Sequence, residues 1–245
     1  MSRNYELLER ASKDLDSFNL GNGRIPKAER VSPLPDARTL SREELIKLVQ
    51  RIFLLDRNSR TAVVFTAVEN GTGCTSICAG AAEAIAAQVE APVCVVDANL
   101  RRPGLHLCFG RENLKGLTDS VFKPGSIRTF VQKLPGSNLW LLPCGSMASQ
   151  LSSVMKTEHL EARISELRKE FAYILIDTPP VSEHTDAILL ARLADGAVLV
   201  LESNATRREV ARIAKEDLES ARVRVLGAVL NKRTFPIPQF LYDRL

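Results

Sequence analysis

Residues 65–78 read FTAVENGTGCTSIC. Gly71 and Gly73 stand two apart in this stretch, and glycine tolerates the backbone conformations that turn successive N–H groups toward one point. A β-branched run at 61–65 leads in, and a helical stretch of small residues at 77–89 leads out. The loop amides and the positive end of that helix would therefore converge on an anion, typically phosphate. Thr75 stands where the magnesium-binding hydroxyl of a phosphate loop belongs, and Ser76 could reach an inner phosphate. Thr72 and Cys74 complete the candidate nucleotide-binding set. Where such a loop normally carries lysine, this one carries Cys74, at most a weak donor and without positive charge.

Two further segments could act on the same ligand. VVDANLRRP (95–103) ends a strand-like run with Asp97, placed to meet a metal or accept a proton, and brings Arg101 and Arg102 within reach of phosphate charge. YILIDTPPV (173–181) delivers Asp177 into a proline-stiffened turn, an arrangement suited to holding magnesium through water. Asp97 has a plainer reading, an aspartate capping a turn, but three such pieces in order are far more specific than one.

The elements that must position these residues alternate along the chain. Short β-branched runs at 61–67, 92–97, 139–143, 173–177, 197–202 and 225–231 are separated by helical patterns near 76–89, 157–170, 185–194 and 206–221. Near-continuous apolar strands divided by helices predict an α/β fold, a parallel β-sheet flanked by helices on both faces. Ligands in that architecture gather at the carboxyl ends of the strands, where the three motifs fall. Residues 1–40 read as a short amphipathic helix (4–16) and a Gly/Pro/polar linker, leaving 41–245 as the folded domain. Within it a first helix is expected from Ser41, capped by Ser41-Arg-Glu-Glu44, with Leu45, Leu48, Ile52 and Leu55 as its apolar stripe.

Composition narrows the function classes. Lys and Arg (33) exceed Asp and Glu (29) by only 4, too mild and too scattered an excess for a nucleic-acid binder. No apolar run approaches the roughly 18 residues of a membrane span, and the charged N-terminus is unlike a secretory signal, so a cytoplasmic location is expected. The 5 cysteines include no CxxC pair, which argues against a disulfide framework or structural zinc. Cys74 and Cys78 lie one helical turn apart, but no histidine completes a metal set. The basic run Arg207, Arg208, Arg212 and Lys215 is interleaved with acids and reads as a solvated helix face, and Trp140 as core.

Taken together, the segments resemble the bacterial tyrosine kinases of exopolysaccharide and capsule synthesis, a branch of the P-loop ATPases related to the partitioning ATPases. VVDANLRRP resembles their Walker A′ motif and YILIDTPPV their Walker B, and the likeness runs through most of 41–245 to the ending IPQFLYDRL. The resemblance implies a P-loop NTPase fold of the partitioning-ATPase type, with ATP and Mg2+ as ligands. It implies that Thr75 ligates magnesium, that Asp97 serves as base and assists the metal, that Asp177 orients the metal's water shell, and that Asn231 contacts adenine. A strand-end turn remains an equal reading for Asn231. The partner implied is a membrane polysaccharide co-polymerase, a chain-length regulator, through which the protein would be peripheral to the membrane.

The departures bear on activity. Cys74 removes the ammonium that would neutralise the outer phosphates, Asn99 replaces the second acid of the A′ motif, and Glu69 adds negative charge to a loop that reads one residue longer than usual before Gly71. Removing one preorganised stabiliser of transition-state charge costs roughly 3–4 kcal/mol, so phosphoryl transfer is expected to be impaired unless Arg101, Arg102 or a neighbouring subunit supplies the charge. Family members phosphorylate clustered C-terminal tyrosines, whereas this chain carries Tyr242 alone near its end. In place of the family's oligomerisation pattern, Glu-x-x-Arg-x-x-Arg, this chain has Glu44, Lys47 and Gln50. Two readings stay open there, a weakened homo-oligomer or an ordinary amphipathic helix packed on its own domain. For the whole protein the leading expectation is a catalytically impaired, regulatory nucleotide-binding protein. An active kinase with a substitute cation and a scaffold that binds no nucleotide are the alternatives.

Overall fold

The computed structural model describes residues 40–55, 61–146 and 158–233. The helix and linker expected over 1–39, and Tyr242 with the chain's ending, lie outside the described residues. Seven strands form one sheet: β1 (Ala62–Ala67), β2 (Val93–Asp97), β3 (Gln132–Lys133), β4 (Leu139–Leu142), β5 (Tyr173–Asp177), β6 (Ala197–Glu202) and β7 (Val225–Asn231), in the order β3-β4-β2-β5-β1-β6-β7. All pairings are parallel except β3 with β4, an antiparallel edge that the apolar pattern did not announce because only two residues pair. The described helices are α1 (Arg42–Val49), α2 (Cys74–Ala86), α3 (Leu105–Cys108), α4 (Leu117–Phe122), α5 (Glu158–Glu170), α6 (Asp186–Leu193) and α7 (Arg208–Ser220).

Both faces of the sheet are covered, which is why its strands are apolar on consecutive residues. In β1, Ala62 and Val64 pack with Leu160, Ile164, Leu190 and Leu218 from α5, α6 and α7. Val63 and Phe65 point the other way, to Val49, Ile52, Phe53, Ile77 and Ile85. The two-residue period of a strand assigns alternate side chains to opposite cores.

The Ser41 capping box forms as its sequence predicts, with Glu44 N–H donating to Ser41 Oγ and Ser41 N–H donating to the Glu44 carboxylate at 2.9 Å. Glu44 is thereby committed to its own helix. α1 packs on α2, where Gly80 leaves room for Leu45: a Cβ at Gly80 would lie 2.7 Å from Leu45 Cδ1. The expected apolar stripe needs one correction. A π-helical turn at Gln50–Leu54 widens the helix, so Phe53 is buried and Leu55 is 74% exposed. On α7, Arg212–Glu216 and Lys215–Glu219 are exposed i,i+4 ion pairs, the solvated face read from the sequence.

The opposite, amino-terminal end of the sheet is tied by Asp195, which accepts from the Thr61 and Ala62 N–H groups and pairs with Arg168 at 2.9 Å. Order reversal around β1 and β5 puts the carboxyl ends of β2, β5 and β1 side by side, and the three motifs leave the sheet there.

Candidate functional site

The phosphate loop spans the turn from β1 to α2. Gly71 (φ 82°) and Gly73 (φ 84°) both take the left-handed conformation. Only Gly73 is also hemmed in, since a Cβ there would lie 2.5 Å from Asn231 Nδ2. That amide donates to the Thr72 carbonyl at 2.7 Å, and Asn231 is 2% exposed. Asn231, at the end of β7, therefore props the loop from beneath through one of its two amide N–H groups. Asn231 Oδ1 and Thr72 Oγ1 are buried without a hydrogen-bond partner. Ser76, in the first turn of α2, is exposed.

The β2–β5 register sets Asp97 opposite Asp177. Asp97 Oδ2 accepts from the Gly104 and Leu105 N–H groups at 2.9 and 3.0 Å, and Oδ1 from Asn99 N–H at 3.3 Å. Burial nevertheless outweighs these three donors and lifts its pKa to about 6. Asp177, fully buried, is pushed to about 8, first by desolvation and then by the Asp97 charge, while Thr75 and Cys74 pull it down. Thr75 Oγ1 donates to Asp177 Oδ2 at 2.7 Å, whereas Oδ1 has no hydrogen-bond partner. Two adjacent buried carboxylates, each raised, describe a site short of positive charge.

Cys74 does not supply it. Burial, Asp177 and Cys78, in that order, hold the thiol well above its ordinary pKa, so it is neutral. It stands close to Asp177 without closing a hydrogen bond on Oδ1. Cys78 and Cys108 are raised in the same way. Among the described residues no group of three or more His, Cys, Asp or Glu could cage a metal. Magnesium needs no such cage, because it keeps most of its water and takes one or two protein oxygens. Thr75 Oγ1 and the unpartnered Asp177 Oδ1 suit that demand, with Asp97 beside them.

Arg101 Nε pairs with Asp186 Oδ2 at 3.2 Å, at the start of α6. Arg102 is exposed, and its N–H donates to Asn99 Oδ1 at 3.2 Å. Asn99 thus shapes the turn after Asp97.

The structure adds residues that the sequence did not single out. After β5 the chain runs on beside the exit of β1. Thr178 N–H donates to the Phe65 carbonyl at 3.1 Å, Thr66 Oγ1 to the Pro179 carbonyl at 2.9 Å, and Val181 N–H to the Ala67 carbonyl at 2.9 Å. Ser182 Oγ then reaches the Val68 carbonyl, and Glu183 accepts from both the N–H and the side-chain amide of Asn70. Nothing in the spacing of Asn70 and Glu183, 113 residues apart, foretells that contact.

A family profile described as cellulose biosynthesis protein BcsQ matches residues 60–223. Tyrosine-protein kinase YwqD of Bacillus subtilis is 31% identical over 177 residues, 72% of this chain and 74% of that protein. The crystal structure of the VpsO kinase domain superposes with a TM-score of 0.71 at 26% identity, covering 79% of this chain and 97% of that one. The Mycobacterium smegmatis cobyrinic acid a,c-diamide synthase, crystallised with an ATP analog and magnesium, shares the fold: TM-score 0.57, 14% identity, 69% of this chain and 70% of that one. By these likenesses the chain belongs to the bacterial tyrosine-kinase family of exopolysaccharide and capsule synthesis, on a P-loop NTPase fold.

Proposed function

We propose that this chain binds a magnesium nucleotide, ATP or ADP, and is a catalytically impaired member of its family that acts by regulation. The observation that carries the proposal is the contrast within one loop. The glycine cradle, Thr75 and the aspartate pair are in place, while the position of the phosphate-neutralising lysine is taken by the buried, neutral Cys74. Gly71 and Gly73 aim the loop amides at phosphate, the Thr75 hydroxyl and Asp177 Oδ1 would hold the ion, and Asp97, within the same carboxylate pair, would receive a proton from an incoming hydroxyl. Bound magnesium would neutralise charge on the outer phosphates and on both aspartates. Among the described residues the loop carries no lysine to place a fixed cation over the transferred group, and Arg101 has its Nε on Asp186.

The partner in this reading is the cytoplasmic part of a membrane chain-length regulator, with the nucleotide-dependent face of the domain as the docking surface. Among the described residues no helix is long and apolar enough to cross a membrane, which is compatible with a cytoplasmic protein held at the membrane by its partner.

Calorimetric titration of the full chain with Mg-ADP and with a non-hydrolysable ATP analogue tests the binding. Saturable heat is expected for at least one of them, and no heat at millimolar ligand would refute it. Transfer of labelled phosphate to a tyrosine substrate, lost in Asp97→Ala, would instead establish the active-kinase alternative.

A further inference from the structure

We infer that the segment 101–115 is a membrane-contact face, which seats this chain directly on an anionic lipid surface. The contact is the chain's own and needs neither nucleotide nor the partner proposed above.

The segment follows the Asp97 turn and crosses the carboxyl ends of the strands from one face of the sheet to the other. Near its start, the Gly104 and Leu105 N–H groups donate to Asp97, and Leu105 and Phe109 pack in the core of one face. Just past its end, Leu117 packs in the core of the other face. Between them, Gln132 Nε2 donates to the Glu112 carbonyl at 2.9 Å, Gly145 N–H to Asn113 Oδ1 at 2.7 Å, and Leu117 N–H to the Pro143 carbonyl at 2.8 Å. The backbone is thus pinned over the ends of β2 and β4 and the start of β3.

Two leucines stand out from this segment: Leu107 is 71% exposed and Leu114 67%. Side chains so exposed project from the surface instead of lining a groove, which suits lipid headgroups that close around them better than a helix that needs a groove to lie in. A scattered exposed leucine is ordinary. What sets these two apart is the charge beside them. The segment holds four cations, Arg101, Arg102, Arg111 and Lys115, against one acid, Glu112, and so carries 3 of the chain's net charge of +4.

Arg101 pairs with Asp186, but among the described residues Arg102, Arg111 and Lys115 form no ion pair, and Arg111 Nε is buried without a hydrogen-bond partner. On α7, by contrast, Arg212 and Lys215 are matched by Glu216 and Glu219 one turn on. Unmatched cations beside projecting leucines supply both components of interfacial binding, apolar insertion and attraction to anionic headgroups.

The test is co-sedimentation of the full chain, without nucleotide or partner, with vesicles of phosphatidylcholine containing about a third phosphatidylserine. Binding is expected there, several-fold weaker on phosphatidylcholine alone, and weakened by high salt. The double variant Leu107→Ser/Leu114→Ser should weaken it by about tenfold or more and leave the thermal melt unchanged, since both side chains are exposed. Lys115→Glu should weaken it by about fivefold or more. Arg212→Ser, on the matched face of α7, should leave it within about twofold. Sedimentation independent of phosphatidylserine, variants that bind like the wild type, or an equal loss in Arg212→Ser would overturn the assignment. Binding of poly-glutamate without binding of vesicles would also overturn it, in favour of an acidic protein partner.

Discussion

Gly73→Ala probes the junction between the phosphate loop and Asn231 through two separate strains. An L residue at φ 84° sits in the left-handed region, at a cost of about 1–2 kcal/mol. The new methyl would also lie 2.5 Å from Asn231 Nδ2, too close to tolerate, so the amide must swing out and release the Thr72 carbonyl that it binds at 2.7 Å. Leaving a buried polar group unpaired costs about 1–3 kcal/mol. The single substitution should therefore destabilise the fold by about 2–5 kcal/mol. Asn231→Ala alone should cost about 1–3 kcal/mol, for the lost bond without the backbone strain. In the double variant the clash has nothing to strike and the lost Thr72 bond is counted once, so the pair should cost less than the sum by about 1–3 kcal/mol. Urea unfolding followed by far-UV circular dichroism and by the single tryptophan, Trp140, measures all three. A Gly73→Ala cost below about 1 kcal/mol, or strict additivity, would refute the propping role assigned to Asn231. The same proteins separate that role from adenine contact. A prop weakens ADP and GDP binding together when it is removed, while loss of a base contact would erase a preference between them.

Cys74→Lys restores the missing cation beside Asp177 and, if the rest of the site is competent, should raise phosphoryl-transfer turnover by roughly a hundred- to a thousandfold in a labelled-phosphate assay. Persistent silence would place the defect at Asn99, Glu69 or assembly. A pH effect follows from Asp177, whose folded pKa of about 8 lies above the ordinary 3.8. The folded state there binds a proton more tightly than the unfolded chain, so this group's contribution to stability is full below about pH 4 and is lost as pH rises toward 8. Asp177→Asn should consequently melt above the wild type at pH 8 in magnesium-free buffer, the gap closing toward pH 5, with thermal melts as the readout. Ser41→Ala removes the acceptor for Glu44 N–H and should cost about 1 kcal/mol in the same unfolding assay.

The alternation of apolar runs and helical patterns was enough to place six of the strands, within a residue or so, and the helices α2, α5, α6 and α7. Those features are written locally: a strand buried on both faces must be apolar throughout, and a helix must repeat its apolar positions about every 3.6 residues. The glycine loop and its hydroxyl were legible for the same reason, since loop conformation and helix start depend on neighbours in the chain. Less was visible where the determinant was short or depended on register. The two-residue β3 carries no periodicity, and the π turn that turns Leu55 outward and Phe53 inward shifts register without changing composition.

What the sequence determined by itself, then, was which residue types stand at the strand ends and that Cys74 brings no charge there. Only the tertiary structure decided which of them face one another. Asp97 meets Asp177 because β5 inserts between β1 and β2; burial raises both carboxylates, and the adjacency adds to the rise of Asp177. Arg101 pairs with Asp186, Asn231 with Thr72, and Glu183 with Asn70, contacts spanning 85, 159 and 113 residues. Chain order cannot encode such pairings visibly, because they follow from the strand order and from where each strand happens to end.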